Sequence, residues 1–140
     1  MNKTISINIR KLILDAIVTS KRGHISSAFS IVEILYVLYF KNLNISPSNI
    51  NKLTRDRFIL SKGHGCLALY AILYLKKFIT LKQLNSFCEE DSILGGHPES
   101  HLIPGVEFST GSLGHGFSVG VGMAISSKIK KMTNHTFILL

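Results

Sequence analysis

Residues 57–75 read RFILSKGHGCLALYAILYL. The first five, RFILS, form a short β-prone run, Lys62-Gly63-His64-Gly65 is a glycine turn, and an apolar helix follows. Strand, glycine turn and helix in immediate succession open an α/β unit. Residues 135–140, HTFILL, are continuously apolar after the first two positions, as a buried parallel strand is. The expected fold is therefore α/β, with helices packed on a small parallel sheet that contains both runs.

The flanking segments supply the helices. Ile9, Leu12, Ile13, Ala16 and Ile17 recur at helical spacing and predict a first helix over 5–20, ended near Gly23. RGHISSAFS reads as a loop leading into a helix over 27–40, and 42–51, with Pro47 inside, as a surface connection. Thr80 with Gln83 makes a capping box, so a short helix begins at Leu81 and carries Phe87 inward; GGHPES then forms a loop.

Residues 107–124, EFSTGSLGHGFSVGVGMA, join a turn to a helix. Ser109, Thr110, Gly111 and Ser112 are expected at the helix start, where unpaired N–H groups can face an anion. Gly116, Gly120, Ala124 and Ser127 form a stripe with almost no side chain, open to close approach. Beside it, Leu113, Phe117, Val121 and Ile125 form an apolar stripe expected to face a core. Glycines 114, 116, 120 and 122 each cost a helix interior about 1 kcal/mol relative to Ala, which argues that the space they leave is used.

A length of 140 residues suits one domain with a single core, and 46% hydrophobic residues exclude a disordered chain. The formal charge of +8 suits phosphate-bearing partners. Its basic residues are scattered, without a block interleaved with aromatics, so no nucleic-acid partner is expected. Cys66 and Cys88 form no Cys-x-x-Cys pair, which fits a reducing compartment. The N-terminus lacks a leader pattern, and the apolar runs at 31–40 and 67–75 are far short of the ~20 residues a membrane helix needs. A cytoplasmic protein without a membrane partner is expected.

Three of the six histidines sit in glycine-flanked loops: His24, His64 and His97. Loop imidazoles donate to phosphates or shuttle protons near neutral pH. A lone one is usually exposed or structurally bonded, but three in one small domain suggest a shared pocket. His97 and His101 are four apart, yet Pro98 and the preceding glycines place them on a loop, so no metal site is assigned. His115 is expected near the pocket without a catalytic part, and His135 as a structural residue.

PGVEFSTGSLGHGFSVGVGMA resembles the cofactor-flanking segment of transketolases, closest in look to the N-terminal half of split, two-chain enzymes. DRFILSKGHGCLALYA, GGHPE and RGH match further blocks in the family's order, so the resemblance covers essentially the whole chain. It implies a thiamine-diphosphate-binding fold, incomplete at its C-terminus, spanning residues 1–140. It further implies thiamine diphosphate as cofactor, with His64 on the diphosphate, Gly111, Ser112 and Leu113 along the thiazolium, and His24 and His97 on the sugar hydroxyls beside the reacting carbon. Around His24 the family shows Ser-Gly-His-Pro-Gly, where this chain carries Arg22, Ile25 and Ser26.

The implied activity moves a two-carbon ketol unit from a ketose phosphate to an aldose phosphate. Family members hold Mg2+ through a Gly-Asp-Gly motif that follows the 135–140 strand, so metal ligands are expected outside this chain. The Glu that activates the cofactor lies on another domain, which implies two partners, a second copy of this chain and a C-terminal transketolase subunit. Residues 1–140 alone are then expected to bind the cofactor weakly and to transfer nothing. A deoxy-ketose-phosphate synthase and a truncated, non-catalytic remnant or interaction module are the alternatives.

Overall fold

The computed structural model describes residues 3–140. Helix α1 spans Lys3–Ser20 and buries Ile9, Ile13 and Ala16, the stripe its periodicity predicts. Lys21, in the left-handed region at φ 55, ends it before Gly23 is reached.

The single helix expected over 27–40 is instead broken. Its first part, α2, covers Ile25–Phe29 and so takes in half of the predicted RGHISSAFS loop; α3 covers Val32–Val37 and widens into a π turn at Leu38–Asn42. The interruption falls where the Ser30 hydroxyl donates to the carbonyl of Ser27 at 2.9 Å, a local bond that competes with the helical ladder.

Strand β1, Arg57–Leu60, pairs in parallel with β2, Thr136–Leu139, Arg57 facing Thr136 and Leu60 facing Leu139. Two strands make the sheet among the described residues. Phe58, Ile59 and Leu60 are buried, but every residue of β2 is only half-buried, unlike the buried strand predicted for HTFILL. The reason is position: Phe58 and Leu60 of β1 lie within the helical core, whereas β2 packs on α6 and only Phe137 and Leu139 reach the core's margin.

After β1 a tight 3-10 turn, Gly63–Gly65, leads into α4, Cys66–Leu75. Residues 66–73 are all buried, as an all-round apolar helix must be, and they fill the space between α1, α3 and α5. Helix α5, Leu81–Asn85, starts at the predicted capping box, with the Thr80 side chain accepting from the Gln83 amide, and Phe87 beyond it is buried.

Helix α6 runs His115–Ile129, and its cap is Gly114 in the left-handed region at φ 88, without a side-chain hydrogen bond. Ser109 to Ser112 therefore do not start the helix, as the sequence suggests, because the chain needs the left-handed turn at Gly114 first. The first half of the small-residue stripe lies on the sheet: a Cβ at Gly116 would come within 2.9 Å of Ser61, and one at Gly120 within 2.5 Å of Ile138 Cγ1, while Ala124 is exposed. Turning that stripe inward turns the neighbouring one outward. Leu113, Phe117, Val121 and Ile125 are exposed, contrary to the expectation that they face a core.

Candidate functional site

In α/β folds a ligand sits outside the carboxyl ends of the strands. The carboxyl end of β1 runs directly into the turn that carries His64, and the Ser61 amide extends the pairing to Leu139 O at 2.8 Å. His24, just ahead of α2, brings its ring to 5.7 Å from that of His64, edge to face. His97 arrives on a third loop, where its ring lies against Gly111: a Cβ there would stand 3.5 Å from His97 Cγ and Cδ2. Loops far apart in the chain thus converge, and His24, His64, His97 and Gly111 form one corner.

Thr110 joins these loops. Its hydroxyl, buried, donates to Leu60 O at 2.8 Å, and its amide donates to Pro98 O at 3.1 Å. One residue therefore ties the end of β1 to the residue that follows His97. Ser100 adds a second tie, its amide donating to Ser109 Oγ at 2.9 Å. Ser112 and Leu113 stand exposed on the turn between Gly111 and α6.

The corner is rich in hydrogen-bond donors. Lys62 Nζ donates to Ser30 Oγ at 3.3 Å beside the His64 turn. Ser27 Oγ is buried without a hydrogen-bond partner among the described residues, and it lies 3.5 Å from the point a Cβ on Gly65 would occupy. Burial, followed by the charges of Lys62, His24 and His97, holds the His64 imidazole below its ordinary pKa. His64 is thus neutral at pH 7, with one ring nitrogen free to accept a proton when an anion arrives.

The other histidines lie outside this group. His101 Nε2 is 3.5 Å from Glu99 Oε2 on an exposed loop. His115 is exposed in the first turn of α6. His135 precedes β2, where its amide donates to Asp56 Oδ1 at 2.7 Å while its ring stays exposed. Among the described residues no three His, Cys, Asp or Glu side chains group so as to hold a metal ion.

Sequence reasoning passes over four residues of this region. Thr110 reads as part of a helix start, and nothing local shows that its hydroxyl crosses to Leu60. Ser27 and Lys62 carry no periodic signal. Tyr70 has one: a tyrosine inside an otherwise aliphatic buried helix needs an acceptor for its hydroxyl. That acceptor is Gly95 O, at 3.0 Å.

The family described as "Transketolase, thiamine diphosphate binding domain" matches residues 1–137. The chain is 41% identical over 131 residues to one of the subunits of apulose-4-phosphate transketolase from Phocaeicola vulgatus, covering 94% of this chain and 46% of that protein. It is 45% identical over 121 residues to the transketolase of Aquifex aeolicus, covering 86% of this chain and 18% of that one. The crystal structure of transketolase from Campylobacter jejuni superposes with a TM-score of 0.90 at 31% identity, over 99% of this chain and 23% of that one. Transketolase from Leishmania mexicana gives 0.88 at 29%, over 96% and 22%. The chain thus spans just under half of the Phocaeicola relative and about a fifth of the longer enzymes.

Proposed function

This chain belongs to the transketolase family, through its thiamine-diphosphate-binding domain, and we propose that it contributes one wall of an active site that moves a two-carbon ketol unit between phosphorylated sugars. The observation that carries this reading is the arrangement at the carboxyl end of β1, where His24 lies beside His64, His97 lies against Gly111, and the packing of Gly63 on Thr110 brings the two pairs together.

The donor set fits the cofactor. Imidazoles, the Lys62 ammonium and the unpartnered Ser27 hydroxyl suit a diphosphate, and the Gly111 backbone lies bare against the His97 ring. Thiamine diphosphate, when bound, supplies the electron sink for the carbanion left as a bond beside a ketone breaks, which no side chain can stabilise well. In this reading His64 donates to the diphosphate, and Gly111, Ser112 and Leu113 line the thiazolium. His24 and His97 hold the sugar hydroxyls and carry protons to and from them as acid and base. Mg2+ belongs to the same reading, with ligands other than these six residues.

The Phocaeicola relative is named as a subunit, which supports pairing with a C-terminal transketolase subunit, the assembly being completed by a second copy of this chain. The sugars are a ketose phosphate donor and an aldose phosphate acceptor, and the setting is the cytoplasm.

Titration calorimetry of the chain with thiamine diphosphate and Mg2+, alone and mixed with a C-terminal transketolase subunit, tests the proposal. Binding is expected to be weak alone and tighter in the mixture, with ketol transfer in the mixture only. His64→Ala should weaken binding at least tenfold. Unchanged affinity in that variant would remove His64 from the site.

A further inference from the structure

Resting on the proposed role of His97, the geometry points to Tyr70 and Cys66 as positioning residues that hold the His97 loop through the two carbonyls preceding it. Tyr70 Oη donates to Gly95 O at 3.0 Å, and Cys66 Sγ donates to Gly96 O at 3.2 Å. The two donors are four positions apart and so lie on one face of α4, both essentially without solvent exposure. Burial pushes the Cys66 thiol up to about 12, so it keeps its proton at neutral pH.

Leu94, buried and bonded through its carbonyl to the Cys88 amide at 2.8 Å, anchors the chain just before the two glycines, which themselves have no side chain to pack. A Cβ on Gly96 would meet nothing within 4 Å, and one on Gly95 would meet only His97 O and Glu99 Oε1, both within its own loop. With no side chains to pack, the local path of the backbone depends on its polar anchors. Beyond His97 the loop is held from the other side, by the Thr110 amide on Pro98 O. His97 is therefore strung between two clamps, one on α4 and one on the segment before α6.

The helix that provides the first clamp is entered directly from the turn that carries His64, because Gly65 of that turn is the cap of α4. One helix, buried over residues 66–73, thus links the residue assigned to the diphosphate with the loop of the residue assigned to the sugar. Tyr70 also packs against Phe87, with ring centroids 6.2 Å apart, so a substitution must preserve the ring to isolate the hydroxyl.

Tyr70→Phe does so, and Cys66→Ala against Cys66→Ser separates loss of the thiol from loss of a donor. The direct readout is the His97 imidazole, followed by NMR in histidine-labelled chain and identified by its disappearance in His97→Gln. Tyr70→Phe and Cys66→Ala should shift the His97 signals and leave those of His24 in place; Cys66→Ser should restore them. In the assembled enzyme Tyr70→Phe should raise the KM for the ketose donor about three- to tenfold, the factor one neutral hydrogen bond carries, while thiamine diphosphate affinity stays unchanged. A purely packing role would move both constants or neither. If Tyr70→Phe fails to fold, the Cys66 pair decides alone. His97 signals unmoved in folded Tyr70→Phe or Cys66→Ala overturn the inference. Failure of wild type to bind thiamine diphosphate in the mixture with a C-terminal transketolase subunit overturns the proposed function instead, and the NMR comparison still judges the clamp.

Discussion

Gly63 and Thr110 meet at the limit of backbone approach: a Cβ on Gly63 would come within 2.8 Å of the Thr110 carbonyl oxygen and 2.9 Å of its carbonyl carbon and Oγ1. Since Thr110 also donates to Leu60, the turn carrying His64 and the segment carrying Gly111 are located against each other by contacts that leave no room for a methyl group.

Gly63→Ala should therefore force the two segments apart, because the obstacle is backbone and has no other rotamer to adopt. We expect a loss of about 1–3 kcal/mol, the usual cost of overpacking, and weaker thiamine diphosphate binding. Urea unfolding gives the first quantity and calorimetry the second. An unchanged urea midpoint would show that the turn relaxes freely.

Two glycines of α6 should respond in opposite directions. At Gly116 a Cβ meets Ser61 Cα, Cβ and Oγ at 2.9 Å, so Gly116→Ala should destabilise by about 1–3 kcal/mol despite the better helix former. At Gly122 a Cβ meets nothing within 4 Å, so Gly122→Ala should stabilise by about 0.5–1 kcal/mol. Thermal melts of the two variants should bracket the wild type; the reverse order would place the wrong stripe on the sheet.

Glu107 accepts from Arg55 at 2.6 Å and from Arg57 at 2.9 Å, with all three side chains largely buried. Glu107→Gln leaves two guanidinium groups without a counter-charge in a poorly solvated place, so a loss of about 3–5 kcal/mol is expected in urea. A loss below about 1 kcal/mol would mean that water reaches the pair.

The lowered pKa of His64 has a defined sign. The unfolded chain takes up the proton first as pH falls below the ordinary 6.5, so His64 subtracts stability from there down to its folded pKa. An anionic diphosphate reverses this by raising the folded pKa, so binding near pH 6.5 should draw in a proton. Calorimetric enthalpies in two buffers of different ionisation enthalpy should differ for wild type and differ less for His64→Gln. Identical wild-type enthalpies would place the diphosphate elsewhere.

Glu33 behaves in the opposite way. Its bonds from Arg10, first, and then from Ser6 hold the carboxyl down to about 2, so the stability it contributes is complete above the ordinary 4.5 and is lost as pH falls from there to about 2. The group is half-exposed, so screening keeps the effect small. Glu33→Gln should flatten the stability curve across that acid window and leave its slope unchanged above about pH 5. A steeper slope in the variant would contradict the assignment.

The sequence by itself determined the elements whose causes are local. The period of α1, the Thr80–Gln83 cap, the RFIL and TFIL strands and the glycine turn at His64 all depend on residues a few positions apart, and each is present. Its motif blocks likewise point to the family that the comparisons show. Tertiary structure alone decided which stripe of α6 faces inward. Both are visible in the sequence, but the glycine stripe goes to the sheet because only there can Ser61 and Ile138 come close enough, and the apolar stripe is carried to the surface as a consequence. It also decided that His24 lies beside His64 and His97 against Gly111, and that Thr110 and Tyr70 bond to the loops that carry them. Contacts between residues tens of positions apart arise from how elements pack, and no local pattern encodes the partner of a single buried hydroxyl.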